Sequence, residues 1–338
     1  MSIKERYLAK QKELKYVSVS PRFPRILKID ICNICNYNCI FCPQSKQINK
    51  IGCIDDNLCI KIIKDAYEAG ARELCLSSTG EPLLNPNLEF YAAYARNIGY
   101  EYIFFNTNGY LLDERRANKI ITEGAVDSIK LSINADEKSY YLVHGVDGFQ
   151  KVISNLKNLY NIRNKEGSKC KISVSYVAVK QTRDEAESLR NKISDICDEF
   201  MVMNANNRAG SISEVDGELY AGRDEYSYSY PCSQLFNNAY VTAEGYLIAC
   251  GQDFENQLIV GDLNKENIKN AWNNENFTEL RKKYLDGNIK GLLCFNCING
   301  CSEEVRPLNK ELAGYKECES KKKALDKRIE ELISRVYE

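Results

Sequence analysis

The sequence has little histidine, no excess of charge of either sign and no long apolar run. His144 is its only histidine, so chemistry that needs a histidine pair, or several histidine metal ligands, is excluded. The 46 basic and 47 acidic side chains give a net charge of -1, without the basic stripe typical of nucleic-acid binding. No segment reaches the roughly 20 apolar residues of a membrane span, and the N-terminus lacks the apolar stretch of a signal peptide. These absences predict a cytoplasmic protein that binds neither nucleic acid nor a membrane.

Cysteine, by contrast, is abundant, with 15 copies among 338 residues. Thiols stay reduced in the cytosol, so this number favours metal sites over disulfides. Cys35, Cys39 and Cys42 have C-x3-C-x2-C spacing and directly follow the apolar run 26–31, a predicted buried strand. Three thiolates on one loop hold three irons of a cubane cluster and leave the fourth iron open to a small molecule. A structural zinc site is the alternative, although zinc prefers four closed ligands.

Strand-like and helix-like patterns alternate from residue 26 to residue 203. The strand-like runs are 26–32, 72–78, 101–106, 127–133, 170–179 and 198–203. The helix-like runs between them are 57–69, 86–98, 114–123, 149–165 and 184–196. Alternation of this length implies parallel strands joined by crossover helices. The pattern predicts an α/β fold, a partial (β/α)6 TIM-type barrel with its chemistry at the C-terminal ends of the strands.

The other segments complete a division into five predicted parts. An N-terminal extension, 1–25, precedes the barrel, 26–203. A polar linker over 204–230 ends in alternating tyrosines and serines. A cysteine-rich unit over 231–305 and a charged helical tail over 306–338 follow.

The cysteine-rich unit has its own spacing pattern. Cys232, Gly245 and Cys250 give C-x12-G-x4-C, with a predicted hairpin of strands 239–242 and 246–249 between the cysteines. Further along the chain come a C-x2-C-x3-C group and one more cysteine: Cys294, Cys297, Cys301 and Cys318.

Short motifs follow the second, third and fourth predicted strands of the barrel. They are Gly80-Glu81-Pro82, Asn108-Gly109, and Ser132-Ile133-Asn134 followed by His144-Gly145. In this order, and with Phe41 before the last cysteine of the loop, they resemble the radical S-adenosylmethionine (SAM) superfamily. The resemblance implies that SAM binds the open iron of a [4Fe-4S] cluster held by Cys35, Cys39 and Cys42.

The same resemblance assigns roles to the motif residues. Gly80, Glu81 and Pro82 would bind the SAM amino group, although Thr79 stands where the family usually has a first glycine. Ser132 would lie near the SAM ribose or carboxylate. His144 stands where relatives often carry an arginine for that carboxylate, and a satisfied surface or core histidine is the alternative. The remaining residues expected around SAM are Phe41, Asn108 and Asn134.

The cysteine-rich unit resembles the SPASM/Twitch domain of many radical SAM enzymes. The resemblance implies one auxiliary [4Fe-4S] cluster on Cys232, Cys250, Cys294 and Cys297, with Cys301 as the rival ligand. The chain is one cysteine short of the full SPASM pattern, so a second auxiliary cluster lacks a complete ligand set. Cys301 or Cys318, if not a ligand, would be a candidate hydrogen donor to a substrate radical. A four-cysteine zinc knuckle is the alternative.

The function implied by the resemblance is hydrogen abstraction by a 5'-deoxyadenosyl radical, with a flavodoxin- or ferredoxin-type electron donor. We expect oxidation of a secondary alcohol on a small sugar- or cyclitol-like substrate, with the auxiliary cluster as electron acceptor. The extension 1–25 is short for a leader-peptide recognition domain, which favours a small substrate. An epimerase and a peptide maturase are alternatives, as is a non-enzymatic iron-sulfur or zinc module for electron transfer.

Overall fold

The computed structural model describes residues 5–6, 17–46, 52–212, 218–219, 231–310, 327 and 329–336. The strands of this part of the chain are β1 (Ile26–Ile29), β2 (Glu73–Cys75), β3 (Tyr102–Thr107), β4 (Ser128–Ser132), β5 (Lys171–Ala178), β6 (Glu199–Asn204), β7 (Asn238–Val241), β8 (Tyr246–Ile248) and β9 (Ile259–Asp262). The α-helices are α1 (Asp56–Ala69), α2 (Leu88–Ile98), α3 (Glu114–Thr122), α4 (Glu137–His144), α5 (Phe149–Lys165), α6 (Ala186–Ile193), α7 (Gln234–Asn237), α8 (Ile268–Trp272), α9 (Glu275–Leu285) and α10 (Leu293–Asn299). Short 3-10 turns lie at Pro43–Lys46, Pro82–Leu84, Arg183–Glu185 and Arg208–Gly210.

All these strands belong to one sheet, in the order β6-β5-β4-β3-β2-β1-β7-β8-β9. Strands β1 to β6 are parallel and follow one another in chain order, as successive βαβ units require. Within the described residues β6 and β9 are the edges of the sheet, so the barrel does not close. The predicted α/β partial barrel is confirmed.

Five helices around the barrel begin and end within three residues of the predicted positions, and a sixth, α4, was not predicted. The Asp55 side chain caps α1 by accepting a hydrogen bond from the Leu58 amide at 2.9 Å. Helix α4 was not predicted because its apolar residues do not form one helical stripe. Tyr141 and Leu142 of α4 are 68% and 57% exposed, while Tyr140 and Val143 beside them are buried.

The two faces of the barrel strands are buried to different degrees. In β3, Ile103, Phe105 and Thr107 are buried beneath the helices, whereas Tyr102, Phe104 and Asn106 alternate with them and are only partly buried. The partly buried residues line a cavity inside the barrel. The inner face of the sheet is therefore the accessible one.

The predicted hairpin is present as the antiparallel pair β7 and β8. It is not a separate sheet, because β7 also pairs in parallel with β1, from Ile26 with Asn238 to Ile29 with Val241. The hairpin thus continues the barrel sheet at its β1 edge. This pairing fixes the cysteine-rich unit directly beside the strand that leads into the first cysteine loop.

The predicted linker and tail are described only in part. Residues 213–217 and 220–230, which include the tyrosine-rich stretch, and residues 311–326 lie outside the described residues. Residues 329–336 are helical and bury Leu332 and Val336. In the described part of the chain, no helix has the length and apolarity required to cross a bilayer.

Candidate active site

The three cysteines of the first loop lie close to one another at the C-terminal end of β1. The Cys42 amide donates to the Cys39 carbonyl at 3.0 Å. The Tyr37 amide donates to the Cys35 sulfur at 3.4 Å. Burial raises the pKa of the Cys39 thiol well above its usual range, and the nearby Cys42 and Cys35 thiols raise it further. These three sulfurs fit a cubane cluster with three protein ligands and one open iron.

The unpredicted helix α4 holds this loop in place. The Asn38 amide donates to the His144 carbonyl at 3.1 Å, and the Ile40 amide donates to the Val143 carbonyl at 3.0 Å. Two backbone hydrogen bonds therefore tie the middle of the loop to the last turn of α4.

His144 is 1% exposed, and both of its ring nitrogens are hydrogen-bonded within the chain. Its Nε2 accepts from the Asn134 amide at 3.2 Å, so Nδ1 carries the proton and donates to the Cys39 sulfur, also at 3.2 Å. Burial lowers the pKa of His144 to about 3, which keeps the ring neutral. The predicted hydrogen bond from His144 to SAM stays a prediction, and it requires one of these two bonds to open.

Glu81 joins the ends of several strands. Its carboxylate accepts hydrogen bonds from the Thr107 hydroxyl at 2.6 Å, the Asn108 amide at 2.7 Å and the Leu83 amide at 3.0 Å. Its own amide donates to the Ile34 carbonyl at 2.8 Å. The loops after β1, β2 and β3 are thus fixed to one residue, the first through its amide and the other two through its carboxylate. The predicted contact of the Glu81 carboxylate with the SAM amino group stays a prediction.

Thr79, which departs from the family motif, has a partner that sequence reasoning missed. Its hydroxyl and its amide both donate to the carboxylate of Asp30, which directly follows β1. Burial raises the pKa of Asp30 to about 7. An acidic residue at the end of a buried strand was the available signal, since such a group needs donors in the folded chain.

The turn that follows Glu81 is held by a buried ion pair. Arg116 of α3 donates to the Leu83 and Asn85 carbonyls and to the Glu89 carboxylate, the last at 2.8 Å. Both side chains of the pair are less than a tenth exposed. The pair therefore anchors the Pro82–Leu84 turn, and with it Glu81.

We expect Arg116→Ala to lower the free energy of unfolding by about 3–5 kcal/mol, because it leaves the Glu89 carboxylate buried without a cation. Urea unfolding followed by circular dichroism measures the change. Arg190→Ala is the matched control, because Arg190 pairs with Glu187 on the surface and such pairs contribute about 1 kcal/mol or less. Equal losses in the two variants would contradict the anchoring role.

The other predicted SAM-site residues surround the same loop. Asn108 donates to the Asn36 side chain at 2.8 Å and lies 3.9 Å from the Cys35 sulfur. Asn134 accepts from the Val177 amide at 2.7 Å, which fixes the end of β4 to β5. Three more residues were predicted to lie around SAM. Phe41 is buried beside Cys39 and Cys42. Pro82 is the first residue of a 3-10 turn, and Ser132 is the last residue of β4.

Four cysteines of the second unit line one small cavity: Cys232, Cys250, Cys294 and Cys297. Burial raises the pKa of the Cys250 thiol well above its usual range, and the other three thiols raise it further. Cys301 does not line this cavity; its sulfur lies 3.3 Å from the Asn296 side-chain oxygen. Cys318 lies outside the described residues.

The donor set of this second cavity fits a closed four-thiolate cluster. A four-cysteine zinc knuckle, the alternative to this cluster, would use the same four donors.

The barrel cavity lies beside this four-cysteine cavity. It has a volume of about 280 Å³ and is lined by strands of the barrel and by the segment after Cys250. Gln234 and Gln252 line both cavities. The Gln252 amide also donates to the Cys250 sulfur at 3.4 Å. One layer of side chains therefore separates the two sites.

Comparison with known proteins shows two family matches. Residues 29–193 match the model of the Radical SAM superfamily. Residues 232–298 match the SPASM model, an iron-sulfur cluster-binding domain.

Two curated relatives differ in how much of the chain they match. The S-adenosyl-L-methionine-dependent 2-deoxy-scyllo-inosamine dehydrogenase of Niallia circulans is 24% identical over 81% of this chain and 92% of its own length. The probable GTP 3',8-cyclase of Saccharolobus solfataricus is 26% identical over 47% of this chain. The match spans about half, 50%, of the length of that cyclase.

Two solved structures share the fold at low sequence identity. BtrN in complex with AdoMet and 2-DOIA has a TM-score of 0.55 at 17% identity and covers 86% of this chain and 99% of its own. Streptococcus suis SuiB bound to precursor peptide SuiA has a TM-score of 0.59 at 16% identity, and the match covers 82% of this chain and 70% of SuiB. With the two family matches and the loop geometry, the conclusion is that this chain belongs to the radical SAM superfamily and carries a C-terminal SPASM domain.

Proposed function

We propose that the chain oxidises a secondary alcohol of a small sugar- or cyclitol-like substrate, with one auxiliary [4Fe-4S] cluster as electron acceptor. The observation that carries this proposal is the shared wall of Gln234 and Gln252, which puts the four-cysteine cavity directly beside the barrel cavity. A substrate in the barrel would lie within one side chain of the auxiliary site. The similarity to the Niallia circulans dehydrogenase supports the same reaction class.

The cavity suits a small polar substrate. Its volume of about 280 Å³ is close to the lower limit of about 300 Å³ for small-molecule sites. Its polar side chains provide hydrogen-bond partners for hydroxyl groups; they include Ser77, Ser78, Asn106, Ser128, Gln234 and Asn238. Asn106, Ser128 and Asn238 lie on strands β3, β4 and β7, so the sheet would hold these partners in fixed positions and orient a bound ring.

In the first site Cys35, Cys39 and Cys42 would hold the cluster that binds SAM, and Cys232, Cys250, Cys294 and Cys297 would hold the auxiliary cluster. When bound, the first cluster and SAM supply the carbon-centred radical that removes a hydrogen atom from the substrate. Loss of that hydrogen atom, of the hydroxyl proton and of one electron converts the alcohol to a ketone. A flavodoxin- or ferredoxin-type protein would deliver the electron that starts the reaction.

The test is an anaerobic incubation of the reconstituted protein with SAM, dithionite and a set of sugars, sugar phosphates and cyclitols, followed by mass spectrometry. The proposal requires a product that is lighter by two hydrogen atoms. A product of unchanged mass and inverted stereochemistry would replace it with epimerisation. Reaction only with a cysteine-containing peptide would replace it with peptide maturation.

We expect Cys294→Ala to retain at least part of SAM cleavage but to lose the oxidised product, because only the auxiliary site loses a ligand. Chromatography of 5'-deoxyadenosine and of the ketone measures the two quantities separately. Cys301→Ala is the matched control, because its thiol lies outside the four-cysteine cavity. Loss of product in Cys301→Ala but not in Cys294→Ala would show that Cys301 is the ligand.

A further inference from the structure

The described residues that line the barrel cavity include cations but no acidic side chain. Among its described lining residues the charged ones are Arg6, Lys28 and Lys130. Arg6 forms an ion pair with Glu73, at the start of β2, and its guanidinium lies 3.6 Å from the centre of the Tyr102 ring. The other two cations, Lys28 and Lys130, have no carboxylate partner in the described part of the chain.

Lys130 occupies the middle of β4, on the inner face of the sheet. Its strand neighbours are Asn106 of β3 and Ser173 of β5, neither of which carries charge. Burial lowers the pKa of Lys130, and the positive charges of Lys28 and Arg208 lower it further, with only the Cys75 thiol acting in the opposite direction. Among the described residues, the Lys130 ammonium group thus has neighbours that repel it and none with a full negative charge.

Lys28 lies in the middle of β1 and has a neutral partner. Its ammonium donates to the Tyr240 hydroxyl at 3.1 Å, and that hydroxyl donates in turn to Gln234. These groups orient Lys28 without neutralising it. Gln234 belongs to the wall shared with the auxiliary site.

Arg208 adds a fourth positive charge, beside Gln252 of the cavity lining. Its guanidinium donates to the Gln252 side chain at 3.1 Å. Arg208 and Ala209 have φ of 49° and 56°, a left-handed conformation that non-glycine residues rarely adopt and that the surrounding structure must maintain. The same turn carries Ala209 into the lining of the four-cysteine cavity.

We propose that the barrel cavity binds an anionic sugar or cyclitol, either a phosphate ester or a carboxylate. Positive charges enclosed in a protein without counter-charges are costly, and a bound anion offsets that cost. The serine, asparagine and glutamine side chains of the cavity would bind the hydroxyl groups of the same molecule. The inference rests on the proposed function for the polyhydroxylated part of the ligand, and on the lysines for its charge.

The same charges disfavour amine ligands. A protonated amino sugar or an inosamine would place a further positive charge among Lys28, Lys130 and Arg208, and no carboxylate of the described lining residues is there to receive it. The chain is therefore inferred to act on a substrate of opposite charge to an inosamine.

The experiment is isothermal titration calorimetry on the reconstituted holoenzyme with SAM but without reductant, so that no turnover occurs. The probes are glucose 1-phosphate, glucuronate, glucose and glucosamine. We expect at least one anion to bind more tightly than glucose and glucosamine, with an affinity that falls as salt increases. Tighter binding of glucose 1-phosphate identifies a phosphate ester, and tighter binding of glucuronate identifies a carboxylate.

Variants locate the binding site. Lys130→Met and Lys28→Met should each weaken binding of the anion by about tenfold or more, since each removes a charge-assisted contact. Lys157→Met, on the exposed face of α5, should leave binding unchanged. Lys130→Gln is used if Lys130→Met does not fold.

Equal affinity for glucose and the anions, or unchanged anion binding in both lysine variants, would overturn the proposal. Since binding is measured without turnover, anion binding without alcohol oxidation would contradict the proposed function alone. Oxidation of a neutral or amine substrate with no anion binding would contradict this inference alone.

Discussion

Replacement of Cys39 by alanine should reduce SAM cleavage to background. Cys39 is the central one of three thiols, and its sulfur is the one that His144 contacts. A loop with two thiolates has lost a third of the ligands that the SAM-binding cluster requires. The measurement is 5'-deoxyadenosine formation by the reconstituted protein with SAM and dithionite. The iron content should also fall by about half, because the auxiliary site keeps its four cysteines.

Cys197→Ser provides the control for a general effect of cysteine replacement. Cys197 is half-buried after α6, and its sulfur donates to the Ile193 carbonyl at 3.4 Å, a bond that serine can keep. We expect wild-type iron content and SAM cleavage in this variant. SAM cleavage by Cys39→Ala at even a tenth of the wild-type rate would show that the cluster is held elsewhere.

Replacement of Gly80 by alanine should also eliminate SAM cleavage, for a steric reason. A Cβ atom on Gly80 would lie 2.2 Å from the Cys32 carbonyl oxygen and 2.5 Å from the Ile34 carbonyl oxygen. Both are backbone atoms, so neither can turn aside as a side chain would. Either the segment before Cys35 or the segment that carries Glu81 must move, and both flank the cluster loop.

The effect of Gly80→Ala is measured as SAM binding by equilibrium dialysis and as 5'-deoxyadenosine formation. Gly124→Ala is its matched control, because a Cβ atom there has nothing within 4 Å. The left-handed backbone of Gly124 costs about 1–2 kcal/mol with alanine, which affects stability but not the site. Wild-type SAM binding by Gly80→Ala would exclude the close contact as a feature of the functional protein.

The periodicity of apolar residues was sufficient to predict the barrel but not the contacts made inside it. Alternating apolar runs located every barrel strand and five of its helices to within a few residues, because helix and strand periods are local properties. Helix α4 was missed since exposed Tyr141 and Leu142 disturb the helical pattern. Consequently the bond from His144 to the Cys39 sulfur could not be inferred, and the sequence left a contact with SAM and a satisfied surface or core histidine as alternatives.

The inner lysines were missed for a different reason. A period of two assigns Lys28 and Lys130 to one face of their strands, but it does not say whether that face meets a packed core or a cavity. Their charge within otherwise apolar strands was the available signal. The contact between β1 and β7 is a long-range pairing, and no local pattern in the sequence specifies such a pairing.

The pairing of β1 with β7 has a consequence for the order in which the protein is made. Strand β1 ends at Ile29, whereas β7, which pairs with it on the side opposite to β2, ends at Val241. More than half of the chain must therefore be synthesised before this edge of the barrel is covered. Until then β1 presents unpaired backbone groups, which favour wrong partners. The first cysteine loop begins at this same edge. A newly made chain therefore exposes Cys35, Cys39 and Cys42 on an unfinished sheet, and β7 covers that edge as it brings the auxiliary cysteines into place.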